Sequence, residues 1–196
     1  MDVEDSQLST GEIEAMARRI DRPVVLVGMM GVGKSSVGKR LATLFHWPFV
    51  DADDEIERAA QMSIPEIFAT HGEAYFRDGE RRVIARLIQQ EGPNGSGARR
   101  VIATGGGAFV NPETRSLILE RAIAVWLDSD IDTLIERTAR KDNRPLLQQG
   151  DPRETLTRLR DERREAYAQA PIHVVSGSGP HGRTIAKVLQ GIGQWL

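Results

Sequence analysis

The stretch Val24-Val25-Leu26-Val27-Gly28-Met29-Met30-Gly31-Val32-Gly33-Lys34-Ser35 decides the fold. Its four leading apolar residues read as a strand buried on both faces. Gly28 to Ser35 then matches G-x-x-x-x-G-K-[ST], and apolar positions from Lys34 to Phe45 recur at helical spacing. A strand, a glycine-rich turn and a helix in that order make a phosphate loop. The glycines let the backbone turn its N–H groups inward, and the helix adds the positive end of its dipole. Lys34 is placed to neutralise β and γ phosphates, and Ser35 to give Mg²⁺ one hard oxygen ligand. ATP is the expected ligand of this loop, the alternative being a plain glycine-rich turn.

Outward from the loop, short apolar runs alternate with helical stretches, the pattern of a parallel α/β sheet. Strands are predicted over Val24–Val27, Pro48–Val50, Arg100–Ala103, Ala122–Leu127 and Ile172–Val175. Helices are predicted over Lys34–Phe45, Ile64–Thr70 behind a Ser63/Glu66 capping box, Gly72–Gln90, Pro112–Glu120, Ile131–Ala139, Pro152–Ala168 and Arg183–Trp195. Before the first strand, Ile13, Met16, Ala17 and Ile20 recur at helical spacing behind a Thr10 cap. This divides the chain into an N-terminal extension, residues 1–22, and one domain over 23–196. Gly92–Gly97 reads as a surface loop. Lys141–Gly150, polar with one proline and two leucines, reads as a lid.

Three further motifs fall at carboxyl ends of strands, where open α/β sheets bind ligands. Asp51-Ala52-Asp53-Asp54 follows the second strand. Alternation along an extended segment points Asp51 and Asp53 the same way, one toward Mg²⁺ through water and the other toward a substrate hydroxyl. A helix N-cap is the competing reading. Thr104-Gly105-Gly106-Gly107 follows the third strand, and three consecutive glycines imply a close backbone approach, by a ligand or within a tight turn. Among many arginines, Arg77 has Glu80 one helical turn on to hold its guanidinium, Arg144 sits in the predicted lid, and Arg163 lies on the helix beyond it.

Composition sets bounds. The 196 residues suit one core; 40% are hydrophobic and 28% charged, an ordinary globular balance. The 26 basic and 28 acidic residues nearly cancel, so no general field draws nucleic acid or anionic lipid, and anion sites must be local. With no cysteine there is no disulfide, thiolate metal site or thiol nucleophile. Residues 1–20 lack a signal-peptide pattern and no stretch is long and apolar enough to span a bilayer, so the cytoplasm is the expected location.

Taken in order, the phosphate loop, Asp51-x-Asp53, Phe76-Arg77, Gly105-Gly106-Gly107, Arg144-Pro145-Leu146-Leu147, and Arg163 four residues before Tyr167 resemble shikimate kinase. The resemblance covers roughly Pro23 to the C-terminus. It implies an α/β, three-layer P-loop kinase fold with a five-stranded parallel sheet in the order 2-3-1-4-5 flanked by helices, a substrate-binding region over about 52–90 and a lid over about 141–150. It implies ATP-dependent phosphorylation of the 3-hydroxyl of shikimate by a monomer, in aromatic amino acid biosynthesis. By position, Lys34, Asp53 and Arg144 would be catalytic, and Gly31, Val32, Gly33, Lys34, Ser35, Ser36, Arg137 and Arg144 would bind ATP. Asp53, Arg77, Gly105, Gly106, Gly107 and Arg163 would bind shikimate, Glu80 would orient Arg77, and Mg²⁺ would be held by Ser35 and, through water, by Asp51. Two departures stand out. Arg163-Arg164-Glu165-Ala166-Tyr167 lacks the family's proline and offers Arg164 as a substitute for Arg163, and the glycine-rich Ser176–Pro180 lacks the arginines many relatives carry there. A gluconate kinase or a non-catalytic nucleotide-binding module shares the loop without needing the full motif set.

Overall fold

In the computed structural model, residues 8–91, 99–139, 151–177 and 181–196 are described. The expected lid with Arg144, the loop Gly92–Gly97 and the end of Ser176–Pro180 lie outside them.

Five strands form one parallel sheet: β1 (Val24–Val27), β2 (Phe49–Asp51), β3 (Val101–Ala103), β4 (Ile123–Asp128) and β5 (Ile172–Val175), in the order β2-β3-β1-β4-β5. The central strand β1 pairs in parallel with both β3 (Val24 opposite Val101) and β4 (Val24 opposite Ile123). All four β1 side chains are fully buried, as a continuous apolar run with both faces covered requires. At the edge, β5 alternates buried and exposed residues.

The helices are α1 (Thr10–Arg19), α2 (Lys34–Phe45), α3 (Ala52–Ala60), α4 (Ile64–Gln89), α5 (Pro112–Arg121), α6 (Ile131–Ala139), α7 (Pro152–Tyr167) and α8 (His181–Trp195). From β1 the chain steps outward to β2 and then reverses toward β3. Right-handed crossovers therefore put α2 on one face and α4 on the other. Accordingly α1, α2 and α8 pack together, while α4 packs on α5.

The predicted order holds, with local differences. α1 is capped by Ser9, one residue before Thr10: Ser9 accepts from the Glu12 N–H, and Glu12 returns the bond to the Ser9 N–H at 2.8 Å. Ile13, Met16, Ala17 and Ile20 join the same buried cluster as the sheet, so packing runs on without a break across residue 22. The two helices expected over 64–90 run together as α4 with a kink at Gly72, whose φ of 80° departs from the helix. α3 begins at Ala52, so the extended segment that the alternation argument assumed through Asp53 ends at Asp51. Asp53 is thus in a first helical turn and not in an extended segment. Geometry at the strand-to-helix junction brings the two carboxylates together, not the period of a strand.

Candidate active site

β1, β2 and β3 are neighbours, so the segments leaving their carboxyl ends converge on one cleft of about 570 Å³. From β1 comes the phosphate loop. Gly28 holds φ at +136°, and a Cβ there would lie 2.1 Å from the Leu127 carbonyl oxygen; no side chain fits. Gly33, at φ 99°, caps α2 without a side-chain bond, leaving the first N–H groups of the helix for a ligand. Lys34 Nζ donates to the carbonyls of Gly28 at 2.8 Å and Met29 at 2.9 Å, folding the ammonium back over the loop. Gly31, Gly33, Lys34, Ser35 and Ser36 line the cleft. Val32 is buried beneath it, and its carbonyl accepts from Arg137 Nη1 at 3.3 Å. Arg137 Nη2 also donates to the Gly177 carbonyl at 3.0 Å, joining the phosphate loop to the segment after β5.

From β2 comes the acidic pair. Ser35 Oγ donates to Asp51 Oδ2 at 2.7 Å, and Asp51 Oδ1 accepts from the Asp53 N–H at 3.1 Å. Asp51 is therefore the N-cap of α3 and a wall of the phosphate site at once; the two readings were never exclusive. Asp53 faces the cleft, its carboxyl pushed up to about 6 chiefly by burial, then by the charges of Asp51 and Glu80, with Lys34 pulling the other way. A carboxylate whose pKa sits near working pH suits the acceptance of a proton.

From β3 come the three glycines, and each lies against a different charged side chain. A Cβ on Gly105 would stand 2.7 Å from Glu80 Oε1 and 3.0 Å from Asp53 Oδ1; one on Gly106 would stand 3.1 Å from Arg163 Nη1; one on Gly107 would stand 2.6 Å from Arg77 Nη1. The glycine run lets four charged groups lie directly on the main chain, which answers why three in a row occur there. Arg77 is clamped on both sides, giving Nη1 to Glu80 at 3.0 Å and Nη2 to Glu73 at 3.2 Å. Glu80 is buried, its other oxygen has no partner among the described residues, and burial pushes its carboxyl up against the pull of Arg77 and Arg163. Such an acceptor is costly to bury unsatisfied and implies a ligand donor. Arg163 is buried at 8% exposure and lines the cleft, whereas Arg164 is exposed and does not line it.

The expected site residues that are described thus line this cleft, except Val32, which is buried beneath it; Arg144 alone lies outside the described residues. Sequence reasoning missed Glu73, although its spacing of four from Arg77 was visible. It also treated Tyr167 only as a landmark, yet its buried hydroxyl donates to the Gly106 carbonyl. Phe76, beside Arg77 in the motif set, also lines the cleft, and the rest of that wall, Ile64, Pro65 and Phe68, carries no chemical motif, so only the fold reveals it.

The family model described as shikimate kinase matches residues 30–192. A shikimate kinase of Novosphingobium aromaticivorans is 65% identical over 196 residues, covering 100% of both chains. One of Caulobacter vibrioides is 54% identical over 173 residues, 88% of this chain and 83% of the relative. Among solved structures, the shikimate kinase of Acinetobacter baumannii in complex with shikimate superposes with a TM-score of 0.81 at 35% identity, covering 91% of this chain and 97% of the other.

Proposed function

The chain belongs to the shikimate kinase family, and from that premise we propose that it moves the γ-phosphoryl group of ATP to the 3-hydroxyl of shikimate through the groups gathered in this cleft. One observation carries the reading: two cation sites, Lys34 with the α2 N-terminus and Arg77 with Arg163, share one cleft with the half-buried carboxyl of Asp53. A triphosphate needs the first and a substrate carboxylate the second.

In the proposed reaction, Arg77 and Arg163 hold the shikimate carboxylate, and Glu80 offers its unpaired oxygen to a ring hydroxyl. Gly105, Gly106 and Gly107 let the ring lie close to the main chain. Asp53 orients the 3-hydroxyl and takes its proton as that oxygen bonds to the γ-phosphorus. The bond from the γ-phosphorus to the β,γ-bridging oxygen breaks, its electron pair leaves with ADP, and Asp53 later returns the proton to solvent. Lys34 swings from the Gly28 and Met29 carbonyls onto the β and γ phosphates, joined by the backbone N–H groups of Gly31 to Ser36. The transition state is loose, so positioning and charge carry most of the rate.

The donor set fits Mg²⁺. Ser35 and Asp51 bring hard oxygens together, and no cluster of three or more His, Asp or Glu that could hold a metal occurs among the described residues, so phosphate oxygens and water would complete the shell. If bound there, the ion would supply countercharge to the triphosphate. Arg137 lies against adenine in this reading, and Arg144 is kept as the lid cation on the resemblance alone. A monomer remains part of the proposal. No helix among the described residues is long and apolar enough to cross a membrane; the cytoplasm remains part of the proposal.

A coupled ADP-release assay over shikimate, gluconate and nucleoside monophosphates tests the reading. ADP release dependent on shikimate and abolished by a chelator is expected. Turnover with gluconate or a nucleotide and none with shikimate would overturn it.

A further inference from the structure

Tyr167 ends α7 with 1% of its surface exposed, and the transfer step makes no use of it. Its hydroxyl donates to the Gly106 carbonyl and lies 3.9 Å from Met29 Sδ in the phosphate loop. The flanking carbonyls are held differently. Gly105 O accepts from the Ala108 N–H at 3.3 Å and Gly107 O from the Val110 N–H at 3.1 Å, both inside the short 3₁₀ turn that follows. The middle carbonyl is instead tied to a helix from another part of the chain. One turn earlier on that helix, Arg163 lies beside the same hydroxyl, and its Nη1 lies 3.1 Å from where a Gly106 Cβ would stand. Behind the phenol ring, Trp126 of β4 packs at 5.9 Å between centroids.

We propose that Tyr167 is a positioning residue for the shikimate carboxylate: its hydroxyl fixes the Gly106 main chain and, with it, the surface on which Arg163 rests. The inference depends on the shikimate kinase reading and deepens it. A binding site set before its ligand arrives saves the cost of ordering on binding. Removing the hydroxyl leaves the Gly106 carbonyl without that donor and frees Arg163 from a neighbour, while the aromatic ring still fills its place against Trp126. The hydroxyl also touches the phosphate loop at Met29 Sδ, but that weak sulfur contact is single and the loop keeps its own constraints at Gly28 and Gly33, so the ATP half of the cleft should change less than the shikimate half. Burial pushes the phenol up to about 12 against the pull of Arg163, so the hydroxyl stays protonated and donating across the working range.

Tyr167→Phe tests this, with KM for each substrate, kcat and thermal stability measured against the parent enzyme between about pH 6 and 9. The expected result is a rise of about tenfold in the shikimate KM, the net worth of one hydrogen bond. The ATP KM and kcat should stay within about twofold, and the ratio of shikimate KM values should be constant with pH. Direct binding of shikimate and of a non-hydrolysable ATP analogue gives the same split if turnover is too slow to measure. An unchanged shikimate KM in a parent enzyme active on shikimate overturns this inference alone. Equal rises in both KM values together with a large loss of thermal stability also overturn it, since they report general loosening. A parent enzyme that does not phosphorylate shikimate removes the functional reading and this inference with it.

Discussion

Asp53→Asn removes a charge that the fold resists, so the variant should be more stable and less active. The carboxyl rises from an ordinary 3.8 to about 6, chiefly through burial and then through Asp51 and Glu80. A carboxyl with a raised folded pKa binds protons better when folded, so its cost is absent below about pH 4, grows through the window up to about pH 6 and is complete above it. At about 1.36 kcal/mol per pH unit, that interval is worth at most about 3 kcal/mol, and relaxation of the site brings the expected range to about 1–3 kcal/mol. Asparagine keeps the shape without the charge. At neutral pH the unliganded variant should melt about 2–12 °C higher than the parent in a chain of this size. The gap should close as pH falls to about 4. Turnover should move oppositely, falling by about 10²–10⁴ with the loss of the proton acceptor. Denaturant unfolding across that pH range, beside steady-state ADP release, measures both. A variant less stable than the parent at neutral pH, or a gap that does not change with pH, would refute the reasoning.

Lys34→Ala should lower kcat by about 10²–10³ with little change in melting temperature, because the lysine donates to loop carbonyls at the cleft in the unliganded state and meets developing charge in the transition state; near-normal turnover would reject that role. Arg77→Ala should raise the shikimate KM by about 10–100-fold, the range for a charge-assisted bond, and should destabilise the fold by stranding buried Glu80. Adding Glu80→Gln should restore stability but not affinity, a split readable by calorimetry. Gly107→Ala places a methyl 2.6 Å from Arg77 Nη1, the far end of a flexible side chain, so the backbone should hold while Arg77 is pushed aside. A shikimate KM raised by about tenfold with an unchanged ATP KM is expected, and parallel changes in both would count against it.

The phosphate loop was legible because strand, glycines and helix impose local rules, and the sheet order followed from the family those motifs resembled. Residues separated in sequence were harder. Nothing local shows that Gly105, Gly106 and Gly107 each face a different charged side chain; that pairing needs α3, α4 and α7 to be folded around β3. That Arg163 lines the cleft and Arg164 does not was likewise visible only in the fold, since one residue along a helix turns a side chain from the cleft to solvent. Asp51 and Asp53 do meet at the cleft, but not through the period of a strand, because helix α3 starts as soon as the strand ends. Tyr167 escaped notice since a hydroxyl that binds a main-chain carbonyl carries no sequence signature.

The central claim is that Asp53 and the two arginines present one particular hydroxyl to ATP. Identifying the product of a shikimate and ATP reaction by phosphorus–proton NMR tests it most directly. Coupling of a single new phosphate ester to the proton on carbon 3, formed in step with ADP, is the predicted result. ADP formation without an ester, or an ester at carbon 4 or 5, would contradict it.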